Sequence, residues 1–177
     1  HSCSSYTNIA AWWATLGSTT IPVGSVRNSF LFTRQDAGMV LGRICARWPH
    51  AQIFNSVAAR ETAQYCTSLF KPNRMYVVRN GLDLSYFSIQ PYPSKITLLA
   101  VGSLYPRKRW DRLIRIISLL SAKELKFQVL HAGDGPLRGE LEELSRRLGV
   151  DSLVQFLGPR SDIPALLADS TLLVHTA

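Results

Sequence analysis

The chain has 177 residues, 46% of them hydrophobic and 18% charged, which is enough apolar surface to build a buried core. Its net charge of +8 points to an anionic partner, either a phosphorylated ligand or an anionic membrane surface. Nucleic acid is set aside because the sequence lacks paired zinc cysteines and an aromatic-and-basic RNA-binding strand, and no apolar run reaches the ~18 residues that span a bilayer. Cys3, Cys45 and Cys66 show no metal-type spacing and leave one thiol over, which favours a reduced, cytoplasmic setting.

In chain order, a helix is predicted around Ala10–Leu16, with one or both of Trp12 and Trp13 in the core rather than at a membrane interface. Ile21–Val26 reads as a short strand ending at Arg27 and Asn28, which either contact an acceptor or cap the next turn. A helix follows over Gln35–Trp48, with Met39, Val40, Ile44 and Cys45 inward, Arg43 and Arg47 on a solvated face, and Pro49 as its stop. Ala51–Phe54 is the next strand. Asn55-Ser56 then forms the N-cap of a helix running to about Leu69. Met75–Val78 is a strand closed by the Asn80-Gly81 turn signal. Leu82–Ser94, with Pro91, Pro93 and no helical period, reads as a linker. The expected domains are therefore residues 1–81 and 95–177, joined by 82–94.

The second part is organised around Lys95–Arg115. Ile96 and Leu98–Val101 form an apolar run ending at Gly102, as in a parallel strand covered on both faces. Trp110, Leu113, Ile114, Ile117 and Leu120 then mark one face of a helix. Arg107, Lys108 and Arg109 lie between them, at the carboxyl end of a strand, the edge where open α/β sheets bind ligands. Cations before a helix are mildly unfavourable and are often merely solvated. That cost, set beside the unpaired amides of a helix start, favours a phosphate site here.

Further along, Phe127–Ala132 and Leu153–Leu157 are strands, with a helix between them that turns Leu137, Leu141, Leu144 and Leu148 inward. A short helix from about Pro164 is capped by Asp162 or Ser161, and Thr171–Thr176 is the last strand. Strands alternating with helices predict an α/β fold with parallel, doubly wound sheets. The loop Gly133–Gly139 (GDGPLRG) resembles a dinucleotide-binding turn. However, Asp134 would repel a pyrophosphate there, and no acid follows the next strand to hold a ribose, so a nicotinamide or flavin cofactor is not expected. No Asp-x-Asp pair and no acid-histidine cluster occurs at metal spacing, so catalysis through a tightly held Mg2+ or Mn2+ is not expected either. His131 and His175 fall at strand ends, where a packed histidine and one lining a cleft are both open.

Four segments occur in order: Asn80–Phe87 (NGLDLSYF), Gly102–Asp111 (GSLYPRKRWD), Gly133–Pro136 (GDGP) and Phe156–Ile163 (FLGPRSDI). Together they resemble the GT-B glycosyltransferases of family 4, the retaining, sugar-nucleotide-dependent type. The resemblance implies two Rossmann-like halves, each incomplete here, with the acceptor on the first and the nucleotide-diphospho-sugar on the second. It implies that Lys108, with Arg107 beside it, neutralises the departing diphosphate without a metal. Donor contacts are implied at Gly102, Ser103, Gly133, Asp134 and Gly135, with Pro159 and Arg160 bordering the base. Ser103 and Arg109 depart from the family's usual arginine and glycine at those places. The family's acidic pair would follow Ala177, so the chain is expected to be an internal piece that is inactive by itself. The implied partners are a nucleotide sugar and a glycan or lipid-linked acceptor. Arg34, Arg43, Arg47, Arg60, Lys71 and Arg74 suit peripheral docking on an anionic membrane. Two other readings remain: a non-catalytic Rossmann-like module binding a phospholigand or a partner protein, and a GT-B sugar-nucleotide epimerase.

Overall fold

The structure of the chain, a computed structural model, describes residues 1–4, 7–27, 38–66 and 71–176, without the side chains of Met39, Arg43 and Ala46. It divides into two compact units, His1–Leu82 and Asp83–Ala177. Each is a parallel sheet flanked by helices, the α/β architecture expected from the alternating pattern.

The first unit contains α1 (Asn8–Ala14), β1 (Val23–Val26), α2 (Met39–Arg47), β2 (Ala51–Phe54), α3 (Val57–Gln64) and β3 (Arg74–Val77). The strands lie in the order β1-β2-β3, all parallel, with Val23 beside Ala51 and Ala51 beside Arg74. One core cluster gathers Val26, Phe54, Ala59 and Ala63, with Met75 and Cys66 against it. The Ser56 hydroxyl accepts from the Ala59 amide at 3.2 Å, which supplies the predicted cap of α3.

Elsewhere this unit corrects the sequence reading. Neither tryptophan of α1 is fully buried: Trp12 stacks on Trp48 with centroids 4.9 Å apart, and Trp13 is 70% exposed. The residue that α1 buries is Asn8. Its amide donates to the Cys45 carbonyl at 3.3 Å, and its carbonyl oxygen accepts from the Ser2 hydroxyl and from the Ser25 amide. A Cβ on Gly24 would lie 2.8 Å from Asn8 Nδ2, so the missing side chain of β1 is what lets the asparagine dock. A satisfied polar network thus sets the buried face of this helix, where one or both rings were expected. On α2, Val40 is 72% exposed rather than inward, because Gly42 and Cys45 form the buried face. Arg47 is half-buried rather than solvated. The predicted strand from Ile21 begins at Val23, with Ile21 79% exposed. Helix α3 stops at Gln64 rather than near Leu69, beyond the buried pair Ala59 and Ala63. Asn28, Arg34 and the start of the helix predicted from Gln35 lie outside the described residues. Asn80-Gly81 forms no hydrogen-bonded turn, since among the described residues the sheet is wholly parallel and no strand returns beside β3.

The second unit opens with an irregular, exposed stretch that carries one 3-10 turn, Leu84–Tyr86, capped by Asp83. It continues as β4 (Thr97–Val101), α4 (Trp110–Ser121), β5 (Gln128–Ala132), α5 (Arg138–Arg147), β6 (Val154–Gly158), α6 (Ile163–Ala168) and β7 (Leu172–Val174). Helix α4 buries Trp110, Leu113, Ile114 and Ile117, the predicted stripe, in one cluster with Ala100, Val129 and Leu141. Ile96, read as part of the strand, is 49% exposed, and pairing begins at Thr97.

The strand order β6-β5-β4-β7 positions the site. From β4 the chain winds outward through β5 to β6, then crosses back so that β7 pairs with the other side of β4. The direction of winding reverses between β4 and β7. At such a reversal the connections leave the sheet on opposite sides and open a crevice at the carboxyl ends of the two strands. Among the described residues no helix is long and apolar enough to cross a membrane.

Candidate functional site

Four segments leave the carboxyl edge of the second sheet: Gly102–Arg109 after β4, Gly133–Leu137 after β5, Pro159–Asp162 after β6, and His175-Thr176 after β7. The first three are stitched together by their backbones. The Gly102 amide donates to the Ala132 carbonyl at 2.9 Å, Leu104 to Asp134 at 3.0 Å, Leu137 back to Leu104 at 3.2 Å, and Gly133 to Gly158 at 2.8 Å. The glycines follow from that closeness. A Cβ on Gly133, whose φ is +141°, would sit 2.0 Å from the Gly102 carbonyl oxygen, and one on Gly135 would sit 2.7 Å from that of Leu104. The Gly-x-Gly of this loop therefore serves loop-on-loop packing. Asp134 Oδ1 accepts from the Gly135 amide at 2.8 Å, and its nearest cation is Arg138 at 4.0 Å.

The three consecutive cations have separate fates. Pro106–Lys108 forms a 3-10 turn, and Arg109 takes a left-handed conformation (φ 53°) where α4 begins. That turn swings Arg109 onto Asp111, with two hydrogen bonds of 3.0 and 3.1 Å. These bonds, with the charge behind them, hold the Asp111 carboxyl below its usual range and raise the guanidinium above its own. Arg109 and Asp111 both line a groove of about 710 Å3 between α4 and α5, where Arg115 and Glu140 join them. Arg107 is exposed. Lys108 turns to the β4/β7 crevice, its Nζ 3.3 Å from His175 Nε2 and its carbonyl accepting from the Thr176 hydroxyl at 2.8 Å. Ser103 is half-buried, and its carbonyl accepts from Trp110 Nε1 at 3.0 Å.

Pro159 and Arg160 are exposed at the end of β6. Arg160 forks onto Asp162, whose carboxyl is held low by those hydrogen bonds. Asp162 does stand at the N-cap of α6 but makes no side-chain cap bond, because the guanidinium occupies it. Sequence reading left His175 open between a packed ring and one lining a cleft, and missed Thr176 and Trp110 as members of this neighbourhood. The available signal was topological: the residue after a parallel strand lies at the carboxyl edge, whatever its type. Among the described residues no group of three or more His, Cys, Asp or Glu side chains stands close enough to hold a metal ion.

His131, on β5, is 2% exposed, with Trp110 edge-on at 4.6 Å and Phe156 at 5.7 Å. Neither ring nitrogen has a hydrogen-bond partner among the described residues. Burial pushes its pKa down from 6.5 to about 4, and the Arg138 charge adds to the fall. The folded state thus resists a proton that the unfolded chain accepts. Stability is full above pH 6.5 and declines as pH falls towards 4. At pH 5 the loss is about 2 kcal/mol relative to pH 8. Urea unfolding at the two pH values checks this, and His131→Leu should remove most of the difference.

The comparisons with known proteins bear on this edge. Residues 95–177, which include all four segments, match the family model of the glycosyl transferases group 1. That region is similar to the group 1 glycosyl transferases. The chain is 29% identical over 136 residues to the phosphatidylinositol N-acetylglucosaminyltransferase gpi3 subunit of Schizosaccharomyces pombe, covering 72% of this chain and 29% of the relative. It is 23% identical to a phosphatidylinositol N-acetylglucosaminyltransferase subunit of Arabidopsis thaliana, covering 83% and 35%. The chain thus spans about a third of the length of these curated relatives. Among solved structures, Anabaena Alr3699/HepE in complex with UDP and glucose superposes with a TM-score of 0.77 at 21% identity, over 98% of this chain and 51% of that one. WaaG, a glycosyltransferase of lipopolysaccharide biosynthesis, gives 0.63 at 19% identity, over 86% and 50%. The fold is that of the GT-B glycosyltransferases.

Proposed function

We propose that this chain is part of a glycosyltransferase that moves a sugar from a nucleotide-diphospho-sugar to a lipid-linked acceptor with retention of configuration. One observation carries the reading: Lys108 Nζ lies 3.3 Å from His175 Nε2, at the carboxyl edge where the sheet reverses its winding between β4 and β7. In the reaction the bond from the anomeric carbon to the diphosphate breaks. The acceptor hydroxyl oxygen bonds to that carbon, and its proton leaves with the diphosphate. Negative charge grows on the departing phosphate oxygens, and a fixed ammonium there favours the transition state over the bound donor.

In this reading Arg107 is a second, exposed cation for the same phosphates. Gly102, Ser103, Gly133, Asp134 and Gly135 form the floor beneath the donor, Pro159 and Arg160 border the base, and no metal is used. The first unit takes the acceptor, and residues 82–94 join the two units. Two relatives are named for N-acetylglucosamine transfer to phosphatidylinositol and one neighbour was solved with UDP, which supports UDP-N-acetylglucosamine and an inositol phospholipid as the first substrates to try. Both relatives are also named as subunits, so further chains and a site on the cytoplasmic membrane face belong to the reading. The test is incubation of the intact protein with sugar-labelled UDP-N-acetylglucosamine and phosphatidylinositol vesicles. Label in the lipid with the donor's anomeric configuration is expected. Release of free or epimerised sugar whether or not lipid is present would overturn transfer.

A further inference from the structure

We infer that His175 is a positioning residue that aims Lys108 at the donor diphosphate, an inference that rests on the function proposed above. A lysine stem is long and flexible, so an ammonium used as a fixed charge needs a tether. Here both ends of Lys108 are tied to the two residues that follow β7. Its carbonyl accepts from Thr176 Oγ1 at 2.8 Å, and its Nζ lies 3.3 Å from His175 Nε2. The ammonium can only donate, so the imidazole accepts at Nε2 and keeps its proton on Nδ1. The ring is itself held, standing edge-on to Trp110 at 5.9 Å and 89°. Trp110 is 2% exposed and pinned through Nε1 to the Ser103 carbonyl at 3.0 Å.

The chemical type of the tether matters as much as its presence. A carboxylate in this place would hold the lysine equally well but would cancel the charge that a diphosphate needs. A neutral imidazole holds it without cancelling it. The acids of the neighbouring loops are engaged elsewhere: Asp111 by Arg109, Asp134 by the Gly135 amide, and Asp162 by Arg160. Among the described residues no carboxylate pairs with this ammonium, which is held from β7 across the line where the winding reverses.

The test is calorimetric titration of the intact protein with UDP, GDP and ADP, each against its monophosphate. The base that binds tightest supplies the ratio of diphosphate to monophosphate affinity. In the unaltered chain this ratio is expected to be about tenfold, the value of one charge-assisted contact, and Lys108→Ala should bring it near one. His175→Phe keeps a ring against Trp110 but removes the acceptor, and should lower the ratio about threefold or more while monophosphate affinity stays constant. His175→Gln restores an acceptor and should recover the ratio to within about twofold. His175→Leu replaces the Phe variant if the latter fails to fold. If His175→Phe leaves the ratio intact while Lys108→Ala collapses it, the positioning role is overturned and the donor reading stands. An equal fall in both affinities would make His175 a packing residue and overturn it too. A ratio near one in the unaltered chain for all three bases would remove the donor reading, and this inference with it.

Discussion

Replacing Lys108 by alanine is expected to slow sugar transfer by about 10²-fold or more, the usual cost of removing a group aimed at charge that develops in the transition state. Lys108 Nζ faces the β4/β7 crevice, whereas Arg109, next in sequence, is bound to Asp111. Arg109→Ala should accordingly change transfer by no more than a few-fold, although the two are adjacent cations. Separate kcat and KM values decide the matter. A loss confined to kcat and shared fully by kcat/KM marks a contact made only as the diphosphate departs, and a rise in KM alone marks simple donor binding. Lys108→Arg should recover part of the rate, since it keeps the charge but exchanges a compact ammonium for a wider planar fork. Transfer by Lys108→Ala within a few-fold of the unaltered rate would move the leaving-group role to Arg107 or to another group.

Gly133→Ala is expected to cost at least about 4 kcal/mol, a size seen only when a substitution has nowhere to relax. The new methyl would stand 2.0 Å from the Gly102 carbonyl oxygen, at a φ of +141° that L side chains rarely adopt. The obstacle is backbone, and that backbone is held by the Gly102–Ala132 and Gly133–Gly158 hydrogen bonds that join the three loops. Relief would have to open the junction that carries the site. Gly139→Ala is the matched control: it lies within α5 with nothing within 4 Å of its Cβ position. It should stabilise the chain by up to ~0.5–1 kcal/mol, since alanine loses less backbone freedom than glycine on entering a helix. Urea denaturation of the two variants should give shifts of opposite sign. If Gly133→Ala unfolded at the unaltered midpoint, the loops would not be packed as described.

How far the sequence led can be judged from particular residues. The stripe Trp110, Leu113, Ile114 and Ile117 was legible because a helix on a sheet imposes its 3.6-residue period directly on the chain. The strand beneath it was legible for the matching reason, as a short apolar run buried in a parallel sheet. Asn8 was not legible. Its burial depends on Ser2, Ser25, the Cys45 carbonyl and the space left by Gly24, which come from the N-terminal segment, β1 and α2. The tryptophans nearby were overvalued because hydrophobicity records what a side chain gains from burial and not whether a neighbour has room for it. The glycines of GDGP show a further limit. Their spacing resembles a phosphate cradle, yet the groups that need the space are the Gly102 and Leu104 carbonyls of another loop.

By itself the sequence determined the alternation of strands and helices, the carboxyl-edge place of the Arg107–Arg109 cations, and a motif order that resembles the GT-B glycosyltransferases of family 4. These depend on neighbours within a turn or two, where periodicity and loop residues act directly. Only the tertiary structure decided which cation faces the crevice. Arg109 is turned away by a left-handed residue and the carboxylate two positions on, while Lys108 is held by His175, 67 residues further along the chain. That pairing exists because β7 returns to the free side of β4. Such a return is set by the packing of whole layers, and no local pattern records it.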